Sequence, residues 1–461
     1  MVYADMTQAL TIVILAAGKG TRMKSNLPKV LHPLAGRPLL DHCYQTARSL
    51  APHRIQIVYG HGGGQVKSAL AHADAEWVEQ VQQLGTGHAV QQAVPGIGDD
   101  QTVLILYGDV PLLTAETLAS LVDEVNDSTL ALLTVRLDDP SGYGRIVRNE
   151  HGKVLRIVEE KDASETEKEI DEINTGILAV RGRLLKKWLS RLQSDNAQGE
   201  YYLTDIIGMA VQDGVTVASQ SPVSVDEILG VNDKRQLAYL ERCYQLRQAQ
   251  ELMRQGATLL DPARCDIRGR VSLGSDVCID VNVIFEGDVQ LGDDIHIGAN
   301  CLIKDSVIGN GTQILPNTLI DSARIGQQCR IGPFARIRPQ TTIADQVHIG
   351  NFVEVKKSDI AQGSKANHLT YLGDSSIGAG VNIGAGTITC NYDGANKFRT
   401  VIEDNVFIGS STQLVAPVRV EEGATIGAGS TITKDAPAGE LTLTRAKQVT
   451  IEGWKRPVKK T

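Results

Sequence analysis

The sequence predicts two domains of different architecture, an α/β domain with a mostly parallel sheet followed by a parallel β-helix. Two observations carry this. In the first half, short apolar runs alternate with helical stretches; in the second, aliphatic side chains recur at every sixth position from Val271 onward. At 461 residues the chain is also longer than one hydrophobic core comfortably serves.

Thr11 to Leu15, Ile55 to Tyr59, Val103 to Tyr107 and Leu130 to Val135 read as buried strands. Alternating with helices, they form a parallel sheet, whose ligands bind beyond the carboxyl ends of the strands. From Asp233 to Gln255 there is neither Gly nor Pro, and Leu237, Leu240, Tyr244 and Leu252 stand among many charges. This is a connecting helix ending near Gly256. The expected division is a domain over 1–235, a helical linker over 236–256 and a second domain over 257–461.

From Val271 to Val355 the six-residue register is interrupted only by Cys301 and Gln313. It lapses over 361–370, returns at Ile377 and Ile383, lapses from Cys390 to Thr400 and resumes from Ile402 to Ile432. Neither a helical period nor a plain strand period holds such a phase. Each hexapeptide supplies one short strand and a corner, with its aliphatic residue buried between stacked coils. The two lapses are expected to be extruded loops, where function concentrates.

Composition narrows the function classes. Aromatics make up 4% and glycine 45 residues, as an aliphatic, corner-rich core requires. The formal net charge of −8, with basic character concentrated in Lys455, Arg456, Lys459 and Lys460, argues against nucleic-acid binding. The apolar run Ile12 to Ala17 is far short of the roughly 20 residues that span a bilayer, and no secretory leader pattern precedes it. A cytoplasmic protein without membrane partners is expected. Seven cysteines without metal-site spacing suit reduced thiols.

Leu15-Ala16-Ala17-Gly18-Lys19-Gly20-Thr21-Arg22-Met23 follows the first strand, with Lys29 close behind. Its N–H groups can hold phosphate while Arg22 and Lys29 neutralise charge. Gly-Lys-Ser/Thr is absent and position 23 is not glycine, so it is neither a P-loop nor a dinucleotide fingerprint. Asp109, just past the third strand, can hold a metal or cap a helix. His368, in the first lapse, is by itself more often a surface or hydrogen-bonded structural residue than a base.

As a unit, Leu15 to Met23 with Lys29 resembles the signature of sugar-nucleotide pyrophosphorylases. The resemblance extends through Gln80, Gly85-Thr86-Gly87-His88, Tyr107-Gly108-Asp109, Gly142-Tyr143-Gly144-Arg145, Glu159, Asn174-Thr175-Gly176 and Gly230-Val231-Asn232. With the hexapeptide repeats it covers nearly the whole chain, and it is specific to the bifunctional N-acetylglucosamine-1-phosphate uridylyltransferase/glucosamine-1-phosphate acetyltransferase family. The resemblance implies a Rossmann-like nucleotidyltransferase domain and a left-handed β-helix. It further implies acetylation of glucosamine-1-phosphate by acetyl-CoA, then UMP transfer from UTP to N-acetylglucosamine-1-phosphate for cell-envelope polysaccharide synthesis.

In the first domain the resemblance implies that Asp109 and Asn232 hold Mg²⁺ and that Arg22 and Lys29 act on the triphosphate. UTP and sugar contacts fall to Leu15, Ala16, Ala17, Gly18, Gln80, Gly85, Thr86, Tyr107 and Gly108, with Gly144, Glu159 and Asn174 near the sugar. In the second, His368 is the general base; a sugar amine must lose a proton to attack a thioester, and an imidazole with a pKa of about 6.5 suits that transfer. Glu354 would orient or support His368, Arg338 and Lys356 would bind the sugar phosphate, and Tyr371 and Asn382 the sugar. Ala385, Asn391, Tyr392, Ser410, Ala428 and Arg445 would receive acetyl-CoA between subunits of a homotrimer. Two other readings are a nucleotidyltransferase for another hexose phosphate whose β-helix only regulates or assembles, and a silent scaffold. The matches at His368, Asn382, Asn391-Tyr392 and Arg445 favour acetyl transfer over the first, and a silent scaffold would have no reason to keep both Arg22/Lys29 and Asp109/Asn232.

Overall fold

A computed structural model describes residues 10–459; Lys460 of the basic C-terminal run lies outside them. The chain forms two compact units divided between Tyr244 and Gln245. The division falls within the helix Lys234–Arg254, inside the span that lacks Gly and Pro.

In the first unit Leu10–Ala16 is flanked by Arg54–Tyr59 and Thr102–Tyr107, both parallel to it. Glu76–Glu79 extends one side. On the other, Glu172–Arg181 runs antiparallel between Thr102–Tyr107 and Thr129–Arg136, and Thr216–Gln220 closes the edge. The chain leaves the central strand in one direction and returns to its other side. That reversal opens a crevice past Ala16 and Tyr107. Side chains alternate between two cores, Ile12 and Ile14 joining Leu104 and Leu106 in one, Val13 and Leu15 joining Val103 and Ile105 in the other. Burial on both faces is why these strands read as continuous apolar runs.

The second unit is a parallel β-helix with three strand columns. One column holds His296–Ile297, Gln313–Ile314, Arg330–Ile331, His348–Asn351 and Lys365–His368. The next holds Arg336–Ile337, Glu354–Lys356 and Tyr371–Gly373. The third holds Thr341–Ile343, Asp359–Ile360 and Ser375–Ile377. Ile297 pairs with Ile314 and Ile331 with Ile349, so a coil takes 17 or 18 residues.

The period of six holds less strictly than the sequence suggests. Ile303, Ile308, Ile314, Ile320 and Ile325 are the buried residues, so two corners are one residue short. Val307, Gln313 and Leu319, which keep the phase of six, are not core residues, and Leu319 is 45% exposed. Adjacent strand residues face opposite sides, so in Val307-Ile308 and Leu319-Ile320 the wrong partner of each aliphatic pair kept the phase. The first lapse is not an extruded loop either. Val355, Ile360, Ala366, Leu372 and Ile377 continue the core, with Ala366 in an aliphatic position. The second lapse is one, since Ile383 pairs with Ile408, a step of 25 residues, with 391–399 outside the strands.

Among the described residues no helix is long and apolar enough to cross a membrane. All seven cysteines are free thiols.

Candidate functional site

In the first unit a cleft of about 430 Å³ opens past the central strands. Its wall contains Leu15, Ala16, Ala17, Gly18, Lys29, Gln80, Gly85, Thr86, Tyr107 and Asp109. Gly20 lets the glycine-rich turn close on Lys29: its φ is +60°, and a Cβ there would come within 2.5 Å of the Lys29 Cβ. Gly108 lies beneath the wall, its N–H donated to the Leu15 carbonyl at 2.9 Å.

Four charged or polar side chains converge at one end. Lys29 forms an ion pair with Asp109 and donates to the Asn232 Oδ1 at 3.3 Å. Arg22 donates to the same oxygen at 2.9 Å. Asn232 is brought there by the Val231 N–H, which donates to the Asp109 carbonyl at 2.9 Å, and its own N–H donates to Gln236 Oε1 at 2.7 Å. Because one ammonium contacts both oxygens, Asp109 and Asn232 face a common point. Two protein oxygens there, completed by substrate and water, fit a hard divalent cation. Among the described residues no group of three or more His, Cys, Asp or Glu forms a metal cluster.

The residues expected near the sugar form a second group. Glu159 accepts the Thr204 hydroxyl at 2.9 Å, and the Asn174 N–H donates to the Gly144 carbonyl at 2.8 Å. Burial holds the Glu159 carboxyl above its ordinary range; the Thr204 hydrogen bond opposes this, and Asp205, Asp162 and Glu200 add to it. Tyr107 joins the two groups. Its hydroxyl is pushed up by burial and by the charges of Glu159 and Asp109, while its bond with Thr86 acts the other way. Gly176 faces this ring so closely that a Cβ would lie 2.5 Å from it. Arg145, 2% exposed, reaches Glu160 at 2.8 Å and braces the loop that carries Gly144.

Sequence reasoning missed Gln83, Glu200 and Thr204. Glu200 enters the cleft wall because the Gly87 N–H donates to the Tyr201 carbonyl at 2.8 Å, and the Leu203 N–H to Thr86 Oγ1 at 3.2 Å. These residues sit in aperiodic loops, which no hydrophobic pattern marks.

In the β-helix His368 stands at the corner between the first and second columns. Its Nδ1 lies 3.0 Å from Asn351 Oδ1. Glu354, expected to orient His368, instead accepts from Arg338 Nη1 at 2.7 Å. The second column carries Glu354, Lys356 and Tyr371, with Arg338 just past its strand Arg336–Ile337. At its far edge Lys356 meets Lys397 of the extruded loop. The Lys356 ammonium is held below its ordinary range first by the neighbouring Lys397 ammonium, then by desolvation and Arg338, with Asp374 opposing. Lys397 was not identified from sequence; its only signal is its place in the second lapse. Crowded cations of this kind are a site for a polyanion.

The acetyl-CoA candidates divide. Ala385, Ser410 and Ala428 stack on successive coils along the His368 corner: the Gly386 N–H reaches the His368 carbonyl at 3.2 Å, Ser411 reaches Ala385 at 2.7 Å and Gly429 reaches Ser410 at 2.8 Å. Arg445 ends the row beside Gly427. Asn382, one coil after Lys365, lies on the column leading into this corner. Asn391 and Tyr392 lie beyond the second column, Asn391 buried and donating to Asp374 Oδ2 at 2.5 Å. One chain does not bring them to the row.

Comparison with known proteins gives concordant matches. Residues 12–257 match the MobA-like NTP transferase domain. Residues 322–357 and 399–434 match the bacterial transferase hexapeptide model. The chain is 62% identical to the bifunctional protein GlmU of Methylococcus capsulatus, over 97% of each chain. It is also 62% identical to that of Nitrosospira multiformis, over 98% of each. For the protein of the same name from an Azoarcus species, identity is 60% over 98% of this chain and 100% of the relative.

Proposed function

The chain belongs to the family of bifunctional GlmU proteins, and from that premise we infer that it acetylates glucosamine-1-phosphate with acetyl-CoA and then transfers UMP from UTP to the product. The outcome is UDP-N-acetylglucosamine and pyrophosphate for cell-envelope polysaccharide synthesis. We assign uridylyl transfer to the first domain and acetyl transfer to the β-helix.

The observation that carries the first assignment is the convergence of Arg22, Lys29, Asp109 and Asn232 at one end of the cleft. A sugar-phosphate oxygen attacks the α-phosphorus and the bond to the bridging oxygen breaks, releasing pyrophosphate. This chemistry needs alignment and charge neutralisation more than a protein acid or base. When UTP enters, Arg22 and Lys29 exchange their contacts with Asn232 and Asp109 for phosphate oxygens. Mg²⁺ held by the two released oxygens would neutralise charge on the nucleotide phosphates. Gln80, Gly85 and Thr86 lie where the base binds, and Gly144, Glu159 and Asn174 where the sugar binds.

For acetyl transfer, Arg338, Lys356 and Lys397 take the phosphate at one edge of the second column, and His368 accepts the amine proton at the other. Such a strand of three residues spans about 10 Å, a fit for one sugar phosphate laid across it. As nitrogen attacks, the C–N bond forms, the C–S bond breaks and the coenzyme leaves as its thiol. The pantetheine lies along Ala385, Ser410 and Ala428, with Arg445 on a coenzyme phosphate.

The separation of Asn391 and Tyr392 from that row supports a site shared by neighbouring copies in a homotrimer. So does an exposed apolar row beside His368: Phe334 and Phe352 stack 5.2 Å apart at 49% and 55% exposure, with Leu369 at 63%. Seven free cysteines support a reducing, cytoplasmic setting.

The deciding experiment incubates the protein with glucosamine-1-phosphate, acetyl-CoA, UTP and Mg²⁺ and measures UDP-N-acetylglucosamine. His368→Ala should lower acetyl transfer about 10²- to 10⁴-fold, with apparent substrate binding little changed. Uridylyl transfer from supplied N-acetylglucosamine-1-phosphate should persist. A normal acetylation rate in this variant would make His368 a structural residue.

A further inference from the structure

We propose that Asn351 is a positioning residue for acetyl transfer, which fixes the His368 imidazole with its proton on Nδ1 and its lone pair on Nε2. The inference rests on the reading of His368 as the general base.

Asn351 and His368 are register partners on adjacent coils, in His348–Asn351 and Lys365–His368. The Asn351 Oδ1 lies 3.0 Å from the ring Nδ1. An amide oxygen only accepts, so the ring nitrogen facing it is the donor. The other ring nitrogen then has to be the acceptor, because a neutral imidazole carries one proton. The side chain expected from sequence to do this, Glu354, is engaged by Arg338 at 2.7 Å. Asn351 lies on the coil before His368, and Ala385 and the rest of the small-residue row lie on the coils after it. The imidazole is thus held from the side opposite the proposed thioester.

A neutral amide has a specific use here. A carboxylate in that place would favour the imidazolium and remove the base over part of the neutral range. Asn351 orients the ring without adding charge. The other charged or titratable groups at this corner are Lys365 on the His368 strand, His348 and Arg330 on the preceding coils, and Tyr371 on the next column, where Glu354 and Arg338 neutralise each other. Burial, then Lys365 and Arg330, hold the His348 imidazole below its ordinary range.

Two variants test this in the full-length protein, with oligomeric state and uridylyl transfer as integrity controls. Asn351→Leu keeps the branched shape and removes the acceptor. Its acetyl-transfer kcat should fall roughly tenfold to a hundredfold, as for lost orienting partners of working histidines, while KM for glucosamine-1-phosphate and acetyl-CoA changes little. Asn351→Asp restores an acceptor and adds charge. It should recover most of the kcat lost in Asn351→Leu, and the acid limb of kcat/KM should move to higher pH. Full kcat in Asn351→Leu, or an Asn351→Asp pH profile superimposable on that of the unmodified protein, overturns the proposal. His368→Ala assayed in parallel separates the two failures. If it is impaired while Asn351→Leu is normal, only the positioning role falls; if it is fully active, the base assignment falls with it.

Discussion

The Arg22 guanidinium donates to Asn232 Oδ1 at 2.9 Å across 210 residues of chain, and Lys29 donates to the same oxygen while paired with Asp109. Two cations thus hold the two oxygens proposed to bind the metal. Asp109→Ala should reduce uridylyl transfer by about a hundredfold or more, since a metal contributes several kcal/mol of charge stabilisation at such a centre. Acetyl transfer should stay near normal. Separate assays of the half-reactions decide it; equal loss of both would contradict independent sites.

Glu159 gives a pH signature. Its carboxyl is held above the ordinary range by burial, so it protonates at a higher pH than an exposed glutamate as the solution is acidified. If the carboxylate accepts a sugar hydroxyl, KM for N-acetylglucosamine-1-phosphate rises as pH falls through that raised value. Glu159→Gln should raise KM at neutral pH and lose this acid limb. A KM–pH profile unchanged by the substitution would remove Glu159 from sugar binding.

Lys397 should contribute phosphate affinity. A hydrogen bond to a charged group is worth about 1.5–3 kcal/mol, so Lys397→Ala should raise KM for glucosamine-1-phosphate roughly tenfold to a hundredfold. Uridylyl transfer should not respond. Initial-rate kinetics over a range of sugar-phosphate concentrations would show the effect.

Phe352 tests the assembly. A charge in the Phe334–Phe352 stack should disfavour an apolar interface, so Phe352→Glu should shift light scattering from three chains toward one and lower acetyl transfer with it. Uridylyl transfer should remain. A monomeric variant with full acetyl transfer would rule out a shared site.

Leu319 and Ile320 test the coil register. Ile320→Ala opens a cavity in the core and should destabilise the β-helix by about 2–5 kcal/mol, while Leu319→Ala should stay within about 0.5 kcal/mol. Denaturant unfolding of the two variants side by side would distinguish them.

That last pair also shows where the sequence was legible. Where one aliphatic residue stood alone at its position, as at Ile331, Ile337 and Ile343, the inward side chain was plain. Where two were adjacent, periodicity had no means of choosing, and corners one residue short passed unseen. The lining of the first unit's cleft was legible because its residues cluster in motifs at strand ends. Glu200, Thr204 and Lys397 were not, since each is placed by backbone hydrogen bonds of an aperiodic loop. Asn351 was hidden differently: its relation to His368 is one coil of stacking, 17 residues away, and shows only once the coils are in register.

The corner that carries His368 has glycine where successive coils touch. A Cβ on Gly350 would lie 2.0 Å from the Asn367 carbonyl, one on Gly384 2.6 Å from that of Ile408, and one on Gly409 2.4 Å from the Ala428 nitrogen. Backbone therefore rests on backbone there, and the pitch has no slack to give. Strand spacing of about 4.8 Å makes the three steps from His368 to Ala428 roughly 14 Å. On the proposed placement of the pantetheine along this row, the track would act as a gauge, setting how far an acyl group stands from the end of its carrier. A carrier arm one coil spacing too short or too long would present its carbonyl off the imidazole, even if every polar group along it were matched. The length standard is the repeat itself, so changing it means adding or removing a coil rather than exchanging a side chain.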